Sequence, residues 1–398
     1  MADYDYLIIG AGLAGASAAQ GIRELDRQGS VLLIGGEPEP PYHRPPLSKG
    51  LWLGKKREED IYVKTAPDWQ AMDVALHLND AAVELDPGGR TVTTAQGRRF
   101  GFGKLLLAMG GKPRHLPDAV REHVFTLQTL ADYRKLRALA AQGGNVLIIG
   151  GSFIGAEMAC ALAQQPGVRV DMLFPGPGPL AQMLPLPLSL LLAERFREHG
   201  IHLRPEDRAV RIEATDKGSR VLTERGQVLE ADWILAGVGL EPNTALAGNA
   251  GLRVDDGVRV DAHLQSSHPG IYAAGDLANY PDPVWGDAVR IEHWDNAVAT
   301  GRAAGRNMAG AETPFTHQSM FFSDLLDIGF EAVGRLSSRL ETFVDMPADY
   351  RQGTAYYLQG GLVRGVLLWN NWDRVEAARA LIAAKQRLGP SELRGRLR

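Results

Sequence analysis

The chain has 398 residues, of which 45% are apolar and 23% charged, and its formal net charge is −4. That length suits two or three domains with cores of their own, and no run of Lys or Arg is long enough to suggest a nucleic-acid groove. No apolar run approaches the roughly 20 residues needed to span a bilayer, and MADYDYLIIGAG shows no cationic leader, so a cytoplasmic location is expected.

Tyr4 to Ile9 form an apolar run of strand formers, followed at once by GAGLAG and then ASAAQGIREL with helical spacing. Gly10, Gly12 and Gly15 therefore occupy a strand–turn–helix context, which makes an otherwise weak GxGxxG informative. Gly10 permits the tight turn, Gly12 lets backbone approach a pyrophosphate, and Gly15 lets the helix pack on its strand. The helix N-terminus presents N–H groups to phosphate. A further strand, Val31–Ile34, precedes Glu37, at the spacing of a ribose-binding acid; the alternative is a surface acid in a Pro-rich loop.

The pattern recurs with Asn145–Ile149 as strand, GGSFIG as turn and AEMACALAQ as helix. Ser152 stands where the middle glycine belongs. The following strand, VRVDMLF, runs into Pro175 and Gly176 without the acid or the arginine that would mark NADH or NADPH. The single cysteine, Cys160, lies in this helix as a buried thiol and excludes any disulfide within the chain. At GIYAAGDLA, residues 270–278, a strand ending in Ala-Gly-Asp before a helix would place Asp276 to accept from a ribityl or phosphate-linked hydroxyl. With the first GxGxxG this points to FAD.

The expected fold class is α/β: two Rossmann-like nucleotide-binding domains, the FAD domain discontinuous and the NAD domain inserted, plus a C-terminal α+β domain. The expected boundaries are 1–112 and 243–310 for the FAD domain, 113–242 for the NAD(P)H domain and 311–398 for the last. In that last segment ETFVDM, TAYYLQ and LVRGVLLWN read as strands, VEAARALIAAKQRL as the closing helix, and the terminal GRLR as a solvated tail.

PPYHRPPLSKGLW, LEPN at 240–243, HQSMFFSDL at 317–325, GFEAVG at 329–334 and VLLWN at 366–370 together give the chain a family resemblance. It resembles, over essentially its whole length, the FAD-dependent pyridine nucleotide oxidoreductases of glutathione-reductase-like fold, in the branch of apoptosis-inducing factor and the oxygenase-coupled ferredoxin reductases. The resemblance implies NAD(P)H oxidation by a bound flavin. It implies FAD contacts from Gly10, Gly12, Glu37, Arg44, Lys49 and Asp276, with Ala82 contributing backbone. Gly151, Phe153, Ile154, Gly239, Glu292 and Glu331 would line the nicotinamide coenzyme site, and His293 and Trp294 would lie near the isoalloxazine. Phe322 stands where apoptosis-inducing factor has tryptophan, keeping a stacking face without the N–H donor. Gln128 replaces an arginine that the family supplies to the flavin, Gly176 replaces an acid, and MGG at 109–111 replaces Ala-Thr-Gly. The family's mitochondrial segment and long acidic insertion are missing, so a role in cell death is not carried over.

Disulfide-reducing members of this fold carry a CxxxxC pair in the helix where this chain has PPLSKGLW. Electrons must therefore leave the flavin for an external acceptor. The family places a Lys–Glu pair beside flavin N5, which here would be Lys49 and Glu157. An ammonium there stabilises the negative charge of the reduced ring, and the glutamate keeps that ammonium from being a buried, uncompensated cation. The ordinary alternative is a surface lysine whose stem covers apolar neighbours. Phe153 would stack the nicotinamide or pack in the core. His293 would act as a neutral polar group or cap a helix. No metal site is assigned.

Two readings follow. The chain is an electron-transfer reductase passing electrons from NADH or NADPH through FAD to a small electron-transfer protein, docked on a basic surface for which Arg44, Arg290 and Arg302 are candidates. Alternatively it is a redox switch like apoptosis-inducing factor, in which a stable charge-transfer complex of reduced flavin and NAD controls formation of a homodimer or binding of a partner.

Overall fold

A computed structural model describes residues 2–116 and 123–398. The architecture is mixed α/β, as expected, and the chain divides into two compact units. One comprises Met1–His43, Glu58–Lys112 and Glu241–Ser319; the other comprises Arg44–Arg57, Pro113–Leu240 and Met320–Arg398.

The first unit is built on a sheet whose parallel core follows the order Val74–His77, Val31–Ile34, Ala2–Ile9, Arg99–Leu107, with Ile271–Ala273 also parallel to Arg99–Leu107. Thr91–Thr94 and Ala82–Asp86 extend it antiparallel. Strands covered on both faces read as continuous apolar runs rather than alternations; all four residues of Val31–Ile34 are buried. The helices Leu13–Leu25 and Trp294–Met308 lie backbone to backbone. A Cβ on Gly301 would sit 2.3 Å from the Ala14 carbonyl oxygen, and one on Gly305 2.1 Å from that of Ala18. Only glycine tolerates that approach.

Ala-Gly-Asp differs from expectation. Residues 275–277 form a single 3-10 turn that leads into another strand, Ala278–Pro281, parallel to Gly257–Arg259. The α-helix begins only at Trp294.

The second unit holds the other nucleotide fold. Its parallel sheet runs Ile201–Pro205, Val168–Phe174, Gly144–Ile149, Trp233–Ala236, Val124–Phe125, with the helix Phe153–Ala163 after the glycine turn. The same unit contains a five-stranded antiparallel sheet in the order Met320–Leu325, Ile328–Gly334, Leu362–Trp369, Gly353–Gln359, Glu341–Asp345. Its first two strands were not among the sequence expectations. The closing helix spans only Val375–Ala383, because Lys385 turns to φ +50° and Arg387 and Leu388 bond to the hairpin at 361–362 instead. GRLR is not a free tail: Leu397 is buried, its carbonyl accepts the Asn371 amide at 2.7 Å, and Gly395 N–H donates to Asp345.

The run Arg44–Arg57 belongs to the second unit through its apolar anchors. Leu47, Leu51 and Trp52 are buried, the Trp52 indole donates to the Leu47 carbonyl at 2.7 Å, and its ring meets Tyr133 edge-on. Two prolines preset a short 3-10 turn, Pro45–Ser48, where a longer helix was expected, and Lys49 closes it.

Candidate functional site

In the first unit the turn after Ala2–Ile9 is shaped for a dinucleotide. Gly10 has φ +117°, and a Cβ there would lie 2.2 Å from the Ala108 carbonyl oxygen. A Cβ on Gly15 would fall 2.1 Å from the Gly10 oxygen, so the helix sits directly on the turn. Gly12, by contrast, has open space around its missing side chain and heads a helix whose first turn has no acid and no side-chain cap. An open, uncapped and acid-free N-terminus is what a pyrophosphate needs, so the residues fit FAD.

The other expected FAD residues of this unit are held in place. Glu37 accepts the Tyr42 hydroxyl at 2.6 Å, just past the strand Val31–Ile34. Ala82 opens its strand opposite Thr94. Asp276 lies in the 3-10 turn, where its carbonyl accepts Arg290 at 3.1 Å and the adjacent Gly275 N–H donates to Thr300. The same Arg290 guanidinium reaches Asp256 at 2.8 Å and Glu292 at 2.7 Å, and its side chain is only 9% exposed. His293 stands at the N-cap of Trp294–Met308 without making a side-chain cap bond. Burial outweighs nearby Asp295 and lowers its pKa to about 4, so the imidazole is neutral at physiological pH. Trp294 is exposed and donates its indole N–H to His43 at 2.9 Å.

Two of the expected docking cations already have acidic partners: the Arg290 side chain lies between the Asp256 and Glu292 carboxylates, and Arg302, which stays exposed, shares Glu24 with Arg306. In the second unit the Arg44 guanidinium donates to the backbone carbonyl of Gln128. An arginine thus reaches residue 128 even though residue 128 is not itself an arginine.

The second unit repeats the dinucleotide turn. Gly150 has φ +120° against the Gly237 carbonyl, and Gly155 sits over Gly150 as Gly15 does over Gly10. The Ser152 hydroxyl donates to Gly237 at 2.8 Å. Phe153, first residue of the helix, meets Phe321 edge-to-face with centroids 5.5 Å apart and lies 6.3 Å from Phe330, which stacks on Trp369. Ile154 follows it, half-buried, and Gly151 packs against Phe174. Gly239 has φ +103° and accepts the Arg114 N–H.

Lys49 and Glu157 come together in this unit, with Nζ 3.0 Å from Oε1 and side-chain exposures of 16% and 7%. Glu157 also accepts the Ser48 hydroxyl at 2.5 Å on Oε2 and the Ser323 hydroxyl at 2.6 Å on Oε1. Three donors thus satisfy a carboxylate that has almost no exposed face. The Lys49 ammonium lies 4.7 Å from the centroid of the Phe322 ring. Phe322 pairs across the sheet with Glu331, so both project on one face. Burial, and to a lesser degree Asp373, raises the Glu331 pKa; its Oε2 is enclosed with no hydrogen-bond partner among the described residues. A buried acceptor left unpaired calls for a donor such as a carboxamide, which fits a nicotinamide. The two serines were not singled out from the sequence, although each adjoins a residue that was.

Residues 4–301 match the family model described as pyridine nucleotide-disulphide oxidoreductase, and residues 304–348 match the C-terminal model of apoptosis-inducing factor, mitochondrion-associated. The chain is 33% identical to apoptosis-inducing factor 1, mitochondrial, of Dictyostelium discoideum, over 96% of this chain and 79% of that protein. It is 32% identical to the 5,5'-dehydrodivanillate O-demethylase ferredoxin reductase subunit of Sphingobium, over 99% of this chain and 96% of that one. The solved covalent putidaredoxin reductase–putidaredoxin complex superposes with a TM-score of 0.91 at 30% identity, covering 98% of this chain and 95% of its counterpart.

Proposed function

Because this chain belongs to the pyridine nucleotide-disulphide oxidoreductase family, we propose that it is a reductase that passes electrons from NADH or NADPH through FAD to a ferredoxin-type protein. It is an FAD-dependent NAD(P)H oxidoreductase.

The observation that carries the reading is the clamped Lys49–Glu157 pair in a chain whose single cysteine is buried in a helix. Burial pushes the Cys160 thiol far up, which makes it a poor thiolate. The chemistry FAD supplies when bound is acceptance of a hydride and release of electrons one at a time. In this reading the Lys49 ammonium would supply positive charge to balance a reduced flavin, and Glu157 holds that ammonium in place. Glu331 accepts from the carboxamide and so fixes the nicotinamide's orientation; Phe153 and Phe322 wall the ring. Neutral His293 contributes a polar contact without adding charge. The turn at Gly10–Gly15 with Glu37, Ala82 and Asp276 would hold FAD, and the turn at Gly151 with Ile154 and Gly239 would hold the coenzyme.

Rapid mixing tests the acceptor. The flavoprotein, reduced anaerobically with NADH, is mixed with putidaredoxin as the probe ferredoxin. Prompt reoxidation of the flavin with matching reduction of the probe is expected. A long-wavelength band that persists, with no electron transfer to the probe or to ferricyanide, would overturn the reductase reading and favour a redox switch of homodimerisation. That second reading draws on the match of residues 304–348 to the apoptosis-inducing factor model.

A further inference from the structure

In a dinucleotide fold the acid that grips the adenosine ribose normally stands at the end of the second strand. Here that strand, Val168–Phe174, ends in Pro175 and Gly176. The structure explains the glycine. A Cβ on Gly176 would lie 3.0 Å from the Ala181 side chain and 3.4 Å from the Gly178 carbonyl oxygen, so the following loop already fills that space.

The adjacent strand brings an acid to the same edge. Ile201–Pro205 runs parallel to Val168–Phe174, with Pro205 beside Phe174. Immediately beyond, Glu206 N–H donates to the Gly176 carbonyl at 3.0 Å and Asp207 N–H to the Phe174 carbonyl at 3.3 Å. The two acids differ in what they do. Asp207 is buried, and its carboxylate is consumed by the N–H groups of Arg208 and Arg225 at 2.8 and 3.1 Å, which locks the loop. Glu206 is exposed, and its ion pair with Arg225 is loose at 3.6 Å. Glu206 also has φ +56°, a left-handed conformation that glycine or asparagine adopts more easily. A glutamate held in that conformation at a nucleotide edge is a reason to look for a role in its side chain.

We propose that Glu206 supplies the carboxylate missing at residue 176, accepts hydrogen bonds from the adenosine ribose, and selects the coenzyme with a free 2′-hydroxyl over the 2′-phosphorylated one. A hydroxyl donates to a carboxylate, whereas a phosphate has only acceptors and like charge to offer it. The Arg225 guanidinium faces the acid; removing the acid's charge leaves that cation free to suit a phosphate. The inference rests on the second nucleotide fold being the coenzyme site.

The test is binding of ADP-ribose and of 2′-phospho-ADP-ribose to the FAD-loaded protein by calorimetry, together with KM for NADH and NADPH. Wild type is expected to favour ADP-ribose. Glu206→Gln should lower that preference by about tenfold, a factor worth roughly 1.4 kcal/mol, with the loss appearing in the KM for NADH. Glu206→Asp, which keeps the charge, should retain the preference. A wild type that favours the 2′-phosphate, or a Glu206→Gln variant with an unchanged ratio while NADH still reduces its flavin, would overturn the assignment of Glu206 alone. Failure of both NADH and NADPH to reduce the wild-type flavin would overturn the coenzyme site, and this inference with it.

Discussion

The Lys49 ammonium lies 3.0 Å from the Glu157 carboxylate, on a turn that Trp52 pins to the same unit. The pair is nearly closed to solvent, so its two halves depend on each other. Removing one partner from a buried pair leaves the other uncompensated, at a cost of about 3 kcal/mol. Glu157→Ala should therefore lower the unfolding free energy by about that amount in urea titration. Lys49→Met, which keeps the stem, should slow flavin reduction by NADH at least about tenfold while leaving FAD bound. A Lys49→Met variant as fast as wild type would remove this residue from the mechanism.

Ser48 and Ser323 both donate to Glu157. Each hydrogen bond to the charged group is worth about 1.5–3 kcal/mol, and groups sharing one acceptor are not independent. Ser48→Ala and Ser323→Ala should each destabilise the protein. The double variant should depart from the sum of the singles by more than about 0.5 kcal/mol. Strict additivity in a double-mutant cycle would show that the hydroxyls do not act on a common carboxylate.

Glu331 carries a buried oxygen without a partner among the described residues, and burial raises its pKa. Glu331→Gln removes the charge that burial penalises, so the coenzyme-free protein should unfold later, by about 1 kcal/mol. The same change should weaken NADH binding, since an amide presents a single acceptor. Stability and affinity should thus move in opposite directions; a parallel fall in both would mean that Glu331 is structural.

His293 has a folded pKa of about 4 against an ordinary value of 6.5. The unfolded chain therefore binds the proton more readily, so stability is fully present above about 6.5 and falls as pH drops toward 4. His293→Asn should flatten the stability profile in that window, by on the order of 2 kcal/mol between its ends. An unchanged slope would place the imidazole in solvent.

Much of the scaffold was legible because local signals were strong. Val31–Ile34 is the strand expected, since a fully covered parallel strand is apolar throughout, and Val168–Phe174 was legible from its β-branched start and apolar end running into Pro175 and Gly176. The glycine turns at residues 10–15 and 150–155 were legible for the same reason. Lys49 and Glu157 were paired through the family resemblance, not through any local pattern. The Ser48–Glu157–Ser323 clamp joins a 3-10 turn, a helix and a strand far apart in the chain, and nothing near either serine announces it. Arg290 read as a docking cation because Asp256 and Glu292 close around it only in the folded unit. The strands Met320–Leu325 and Ile328–Gly334 escaped because their aromatics and acids mix without clean alternation.

The central claim is that electrons cross from nicotinamide to an external protein through flavin with no sulfur in between. The most direct test is NADH-dependent reduction of putidaredoxin and of ferricyanide by Cys160→Ala beside wild type. Equal turnover by the two proteins is predicted. A Cys160→Ala variant whose flavin still bleaches with NADH but which delivers electrons to neither acceptor would contradict it.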